Sequence, residues 1–346
     1  MWKYILKRIG LAIITAFIIL SLTFILIKLL PAQRFLGTPA AKTAYYDGEV
    51  TRGYLYKTDD AIEGVEYVDR VIYEDGSDVF YYKTPVMQQY FSWIGNIVTR
   101  WDWGRSVNIQ PNVEVTLIIG ARLATSMKIN IFSVIISVPI GILLGIWAAL
   151  KKNKLTDHII STLVMILIAL PGFVLITFLL LLFCYGKFSF LPTQWPTPTD
   201  PTSKKILGYV LPVFCLSLGS ICGYCRSVRA ELCEVMESEY LLLARTKGLT
   251  RGQAIMRHAL KNAMVPIFPS IVAEFIGILG GSMVLERLYG IPGIGDLFIR
   301  AMNTAAPDYS VLFVDMAIFT TLGLLFGVLL DMSYGIIDPR IRMGAR

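Results

Sequence analysis

The chain has 346 residues, 55% of them hydrophobic and only 16% charged, with 32 Lys and Arg against 25 Asp and Glu for a net charge of +7. Soluble domains carry about 25% charged residues, so this deficit, together with long apolar runs, excludes an ordinary soluble fold and points to a bilayer. The positive balance is not a nucleic-acid signal, because in a membrane protein basic residues mark the cytoplasmic side.

Six apolar segments are expected to cross the membrane as helices, giving an all-α polytopic architecture. The first, about Ile9–Leu30, follows Lys3, Lys7 and Arg8; it is too long for a signal-peptide core and is read as a retained helix forming a unit over residues 1–30. Residues 31–112 are then a long extracytoplasmic region rich in tyrosine and acids. Within it Val65–Tyr73 and Asp78–Lys83 have strand character and are separated by Glu-Asp-Gly-Ser, which predicts a β-hairpin turning at Asp75-Gly76. The acids between 47 and 78 lack calcium-loop spacing and read as a solvated face.

Five further segments occupy the core at 113–334. They are about Met127–Leu150, Leu155–Tyr185 with a kink expected at Pro171-Gly172, Ile206–Tyr224, Ala263–Leu285 and Val311–Tyr334. A proline-rich outer loop, 191–201, joins the third and fourth segments. With the N-terminus inside, six crossings put Lys151, Lys152, Lys154, the 226–262 loop and the 335–346 tail with Arg340, Arg342 and Arg346 in the cytoplasm, as the positive-inside rule requires.

No metal or redox chemistry is legible. The five cysteines lie in or near apolar segments, Cys222 and Cys225 have no second pair, and His158 and His258 are two isolated histidines. Neither HExxH, GxSxG nor paired helical aspartates suggest a membrane-embedded enzyme. The GxxxxGK[ST] phosphate loop is missing too, so any energy source is a partner or an ion gradient.

The 226–262 loop is the most structured polar stretch. Arg226–Thr246 is rich in helix formers and is expected to extend the fourth helix outward. Gly248 falls where a left-handed helix stop belongs, and Thr250 with Gln253 forms a capping box that starts a second helix over Arg251–Asn262. Helix, glycine corner and capped restart make a rigid lever rather than a linker. In the membrane, Glu274 and Asp315 are costly charges and the candidate lining of a transport path, with a structural hydrogen bond the equal alternative for Glu274, while Arg122 and Lys128 sit where they can snorkel.

These residues resemble a known family. Glu239-Tyr240, Ala244-Arg245-x-Lys247-Gly248-Leu249, His258-Ala259-Leu260-x-Asn262-Ala263 and Pro266 are similar to the EAA loop of ABC importer permeases in the peptide-permease form. Asp102-x-Gly104-Arg105-Ser106, then Arg122, Leu123 and Thr125, Pro139-x-Gly141-x-x-x-Gly145, Leu191-Pro192, Glu286, Pro292-Gly293-Ile294-Gly295 and Asp308-Tyr309 resemble other motifs of that family, in order, across residues 100–310. The resemblance implies a type I ABC importer permease fold of the oligopeptide or dipeptide permease B type, in a bacterial or archaeal cytoplasmic membrane. It implies a second homologous permease, two cytoplasmic ATPase subunits that carry ATP-Mg, an extracytoplasmic binding protein and a peptide substrate. The chain itself would bind no cofactor and catalyse nothing. Glu239, Tyr240, Ala244, Arg245, Lys247, Gly248 and Leu249 become the expected ATPase contact.

Nickel chelates, glutathione and opines are alternative cargoes within the same class. An ion-coupled secondary transporter is a more distant alternative, disfavoured by the scarcity of buried carboxylates and of paired inverted repeats.

Overall fold

A computed structural model of the chain describes residues 2–337, apart from 74–75, 187–188 and 304. The expected turn residue Asp75 and the arginines of the C-terminal tail lie outside the described residues. The chain divides into two compact units, one of Trp2–Leu123 with Asp296–Leu325, the other of Ala124–Gly295 with the segment from Phe326 onward.

The first unit opens with α1, Trp2–Lys28, an apolar helix. Next comes α2, Pro39–Thr51, capped by the Thr38 hydroxyl with proline at its first position, where a missing N–H costs nothing. Strands β1 (Leu55–Thr58), β2 (Asp69–Ile72) and β3 (Asp78–Lys83) form an antiparallel sheet in the order β1-β3-β2. β2 and β3 pair with Val71 opposite Val79. The sheet also recruits β1, which the sequence did not suggest, and β2 is shorter than the Val65–Tyr73 stretch. Tyr46, stacked on Tyr81 at 4.9 Å, and buried Phe35, Val71 and Val79 form the core beneath it. Helix α3, Val86–Arg100, packs back on α1, where Trp93 stacks on Phe24 at 4.8 Å and the Tyr90 and Ser21 hydroxyls meet at 2.9 Å.

Helix α4 is Val115–Leu150. Then α5, Leu155–Ala169, and α6, Gly172–Leu180, replace the expected third span. They meet at 101°, far more than a kink. The reason is local: Pro171 forces Leu170 out of the helical region, to ψ 128°, and the chain restarts at Gly172. A π-helical turn, Leu181–Tyr185, follows.

Helix α7, Thr202–Met236, lies against α4 through glycines. A Cβ on Gly141 would fall 2.7 Å from Tyr224 Cβ, and one on Gly145 would fall 2.8 Å from the Cys225 carbonyl. Small residues four apart let two helix backbones approach, the usual device of intramembrane packing. At the base of α5, buried Asp157 holds Arg229 of α7 through Nε at 2.5 Å and a second nitrogen at 2.8 Å.

The remaining helices are α8 (Glu239–Thr246), α9 (Arg251–Ala254), α10 (Leu260–Ala263), α11 (Phe268–Gly277), α12 (Met283–Tyr289), α13 (Ile294–Ala301) and α14 (Tyr309–Ile337). Among the described residues, four helices are long and apolar enough to cross a membrane, and the bent α5–α6 pair gives a fifth candidate. The expected segment Ala263–Leu285 is not one helix. It is broken after α11 by a 3₁₀ turn and by Gly281 at φ +59°, and α11 alone, at about 15 Å, is half a bilayer core.

Candidate functional site

The loop after α7 departs from expectation at its start and again within its second helix. The helix does not run on to Thr246 but stops at Met236, and α8 starts afresh from an extended Ser238, whose hydroxyl donates to the Val235 carbonyl at 2.6 Å. A serine followed by glutamate is the signal that marks this restart. The glycine corner is as the sequence suggests: Gly248 has φ +93°, and its N–H donates to the Arg245 carbonyl at 3.0 Å. The capping box closes in both directions, Gln253 N–H to Thr250 Oγ1 at 3.3 Å and Thr250 N–H to Gln253 Oε1 at 3.1 Å. A π-helical turn, Ile255–Ala259, then links α9 to α10.

What makes the corner rigid is its underside. Leu241, Ala254, Ile255, Ala259 and Ala263 are buried against Ala149 of α4 and Leu232 of α7. Lys152 pairs with Glu237 beside the break, and that carboxylate holds the lysine ammonium above its ordinary value.

The outer side carries the sequence-predicted residues. Glu239, Tyr240, Arg245, Lys247 and Gly248 are exposed, and Ala244 and Leu249 are half-buried. Leu242, Leu243 and Met256 join them, 62%, 57% and 63% exposed. In sequence the leucines read only as helix formers; the run Tyr240-Leu-Leu-Leu243, longer than one buried stripe needs, is the available signal. A cleft lined by Glu239, Leu242, Arg245 and Arg251 runs along this face.

The two membrane carboxylates belong to different units. Glu274 lines a cleft with Ser220, Tyr224, Ser227, Glu231 and Ser270, and accepts the Ser137 hydroxyl at 3.4 Å. Asp315 belongs to the other unit and is completely buried in α14.

Two buried carboxylates explain motifs that sequence alone left as patterns. Asp308 Oδ2 accepts from the Ser106 hydroxyl at 2.6 Å and from the N–H groups of Val107, Asn108 and Ile109 at 3.0–3.1 Å. Glu286 accepts the Ser126 hydroxyl at 2.7 Å, and Ser126 in turn receives the Ile294 N–H at 2.9 Å. Gly293 exists to admit that carboxylate, since a Cβ there would sit 2.3 Å from it. The Leu191-Pro192 motif is tied down the same way: the Pro192 carbonyl accepts Tyr289 OH at 2.9 Å and the Cys184 thiol at 3.1 Å.

Several bilayer-length apolar helices and a packed, partly apolar corner define a polytopic membrane protein that presents a rigid surface outside its spans. The chain belongs to the family described as binding-protein-dependent transport system inner membrane component, whose model matches residues 141–343. It is 31% identical to the dipeptide transport system permease protein DppB of Lactococcus lactis subsp. cremoris, over 99% of this chain and 100% of that protein. It is 30% identical to the oligopeptide transport system permease protein OppB of Haemophilus influenzae, with the same coverage. An inward-facing structure of the MetNI methionine ABC transporter has a chain of like fold, with a TM-score of 0.51 and 13% identity, over 64% of this chain and 97% of that one.

Proposed function

We propose that this chain is a permease subunit of an ATP-driven importer and forms, with a second homologous permease, the membrane path for dipeptides or oligopeptides. The observation that carries the reading is the exposed corner Glu239–Leu249 on its buried apolar base. A permease driven by a nucleotide-hydrolysing partner needs such a surface to receive that partner's work. Full-length similarity to dipeptide and oligopeptide permeases supports peptide as the cargo.

In this reading two cytoplasmic ATPase subunits, which hold ATP-Mg, grip Glu239, Tyr240, Ala244, Arg245, Lys247, Gly248 and Leu249. Leu242, Leu243 and Met256 add apolar area to that contact, as large exposed hydrophobics in a cluster generally do. An extracytoplasmic binding protein delivers the peptide to the outer side. Residues 1–30, 31–112, 113–334 and 335–346 serve as anchor helix, outer region, permease core and cytoplasmic tail. The broken segment 263–285 supplies the sixth crossing, which returns the C-terminus to the cytoplasmic side with the N-terminus. Glu274, in its hydroxyl-lined cleft, and Asp315 are the candidate residues of the path.

The test is reconstitution of the purified chain with its partner subunits in liposomes. Peptide uptake coupled to ATP hydrolysis is expected. Uptake of a nickel chelate, glutathione or an opine in place of peptide would keep the class and overturn the cargo. Uptake driven by an ion gradient without nucleotide would overturn the reading itself.

A further inference from the structure

We propose that α3 is a membrane-surface helix whose apolar stripe lies in the outer leaflet and pins the strand-bearing region to the bilayer. The helix has three sectors at 100° per residue. Gln89 and Trp93 are buried against the protein, with Tyr90, Asn96 and Ile97 partly covered on the same side. Gln88, Gly95 and Thr99 are exposed and polar or small. Met87, Phe91, Ile94 and Val98 fall at i, i+4, i+7 and i+11, a single stripe, and Met87, Phe91 and Val98 are 55%, 65% and 78% exposed. A helix in water has no use for a third sector of this kind; a helix at a membrane surface divides its faces among protein, lipid and water.

The occupant is set by what α3 leans on. Its packed side meets Ser21 and Phe24 of α1, inside the apolar span Ile5–Lys28, whose other faces are almost wholly uncovered. The stripe on α3 therefore continues a lipid-facing surface rather than starting a separate one. Charge agrees with this. The helix has no acid and a single charge, Arg100 in its last turn. At its end Trp101 takes the left-handed capping position, φ 54°, that glycine usually fills. Trp101 is 71% exposed and meets Trp103 edge-on at 5.5 Å, the residue type enriched where a membrane meets water. On the protein side Gln89 donates to the carbonyl of Thr84, which directly follows the central strand β3, at 2.7 Å, and Asn96 to that of Arg52, in the segment leading into β1, at 3.0 Å, so anchoring α3 also ties down the chain entering and leaving the sheet.

The experiment uses the full chain with its partner subunits in lipid nanodiscs. The five native cysteines are buried, so spin labels are directed to Phe91→Cys, Val98→Cys and, as reference, Gln88→Cys. Collisions with lipid-soluble oxygen should exceed those with a water-soluble nickel chelate several-fold at 91 and 98, with the ratio inverted at 88. The proposal is overturned if 91 and 98 behave like 88, which means water, or are shielded from both reagents, which means a protein partner covers the stripe. A second measurement needs no substitution: a lipid carrying a carbene precursor in its acyl chain should label Met87, Phe91 or Val98 in the native sequence. No label between Val86 and Arg100 would count equally against it.

Discussion

Ser106 and Asp308, about two hundred residues apart in sequence, share a short, fully buried contact, hydroxyl to carboxylate at 2.6 Å. The same carboxylate collects three successive backbone N–H groups, and its other oxygen takes the Val311 N–H at 3.2 Å, capping α14. Asp308 is fully buried, so its removal strands several donors without water. Asp308→Ala should destabilise the unit by about 3 kcal/mol or more, the scale of charge-assisted bonds lost with their partners left buried. Asp308→Asn keeps one acceptor but turns an N–H toward other donors, and should fall between. Thermal unfolding of the detergent-solubilised protein measures both, and equal midpoints for parent and Ala variant would refute this account.

The Glu286 cradle predicts a contrast between glycines. Gly293→Ala drives a methyl to within 2.3 Å of the Glu286 carboxylate, which cannot retreat without releasing Ser126. Overpacking of this kind costs about 1–3 kcal/mol. Gly277→Ala, at a helical position with no neighbour within 4 Å, should be neutral or slightly stabilising. Side-by-side yields of monodisperse protein and melting temperatures will tell them apart; matching losses would mean that packing around Glu286 is not the cause.

At the corner, Gly248 has open space around it but a left-handed backbone. Its replacement is therefore a question of conformation, not of volume. Gly248→Val should cost about 1–2 kcal/mol locally, reorient α8 against α9 and leave ATP hydrolysis poorly coupled to uptake. Gly248→Asn, which tolerates the left-handed region, should retain most coupling. The measurement is the ratio of peptide transported to ATP hydrolysed. A ratio ordered by side-chain size instead would point to a contact surface rather than a backbone requirement.

Acid should weaken the sheet-bearing region. Burial pushes the Asp102 carboxyl up, but hydrogen bonds from Arg52 and the Gly104 N–H and the charge of Arg105 outweigh it, so the group titrates below its ordinary 3.8. Asp47 behaves alike: burial raises it, while Lys57, Tyr73 and Tyr81 lower it further. A carboxylate depressed in the folded state contributes stability that is fully present above its unfolded value and is lost as pH falls through the folded value. Stability should thus hold from neutrality to about pH 4 and decline below it. Asp102→Asn should flatten that decline; a melting profile whose acid limb is unchanged by the substitution would rule Asp102 out as a source.

Much of the corner was legible because its signals are local. Thr250 with Gln253 three residues on specifies a capping box, and Gly248 a left-handed stop, whatever surrounds them. The break at Glu237–Ser238 was harder to see, because Glu234 through Leu243 reads as good helix throughout and one N-capping serine is a weak mark. Helices α2 and α3 escaped notice for another reason. A tyrosine-rich, half-polar stretch has no clean period, and its helices are stabilised by packing against Phe35, Tyr81 and Phe24 more than by propensity.

The sequence by itself determined that the chain is membrane-embedded, where four of its long apolar helices lie, and that a capped, glycine-cornered loop stands outside them. Hydropathy, charge and capping act over a few turns of chain, and a linear reading suffices for them. Only the tertiary structure decided why the scattered motifs have the residues they do. Ser106 answers Asp308, Ser126 and Gly293 answer Glu286, Pro192 answers Tyr289, and Gly141 and Gly145 answer the backbone of α7. Most of these pairs are joined by hydrogen bonds or steric exclusion across about a hundred residues or more, and such contacts leave no period in the sequence for a reader to find.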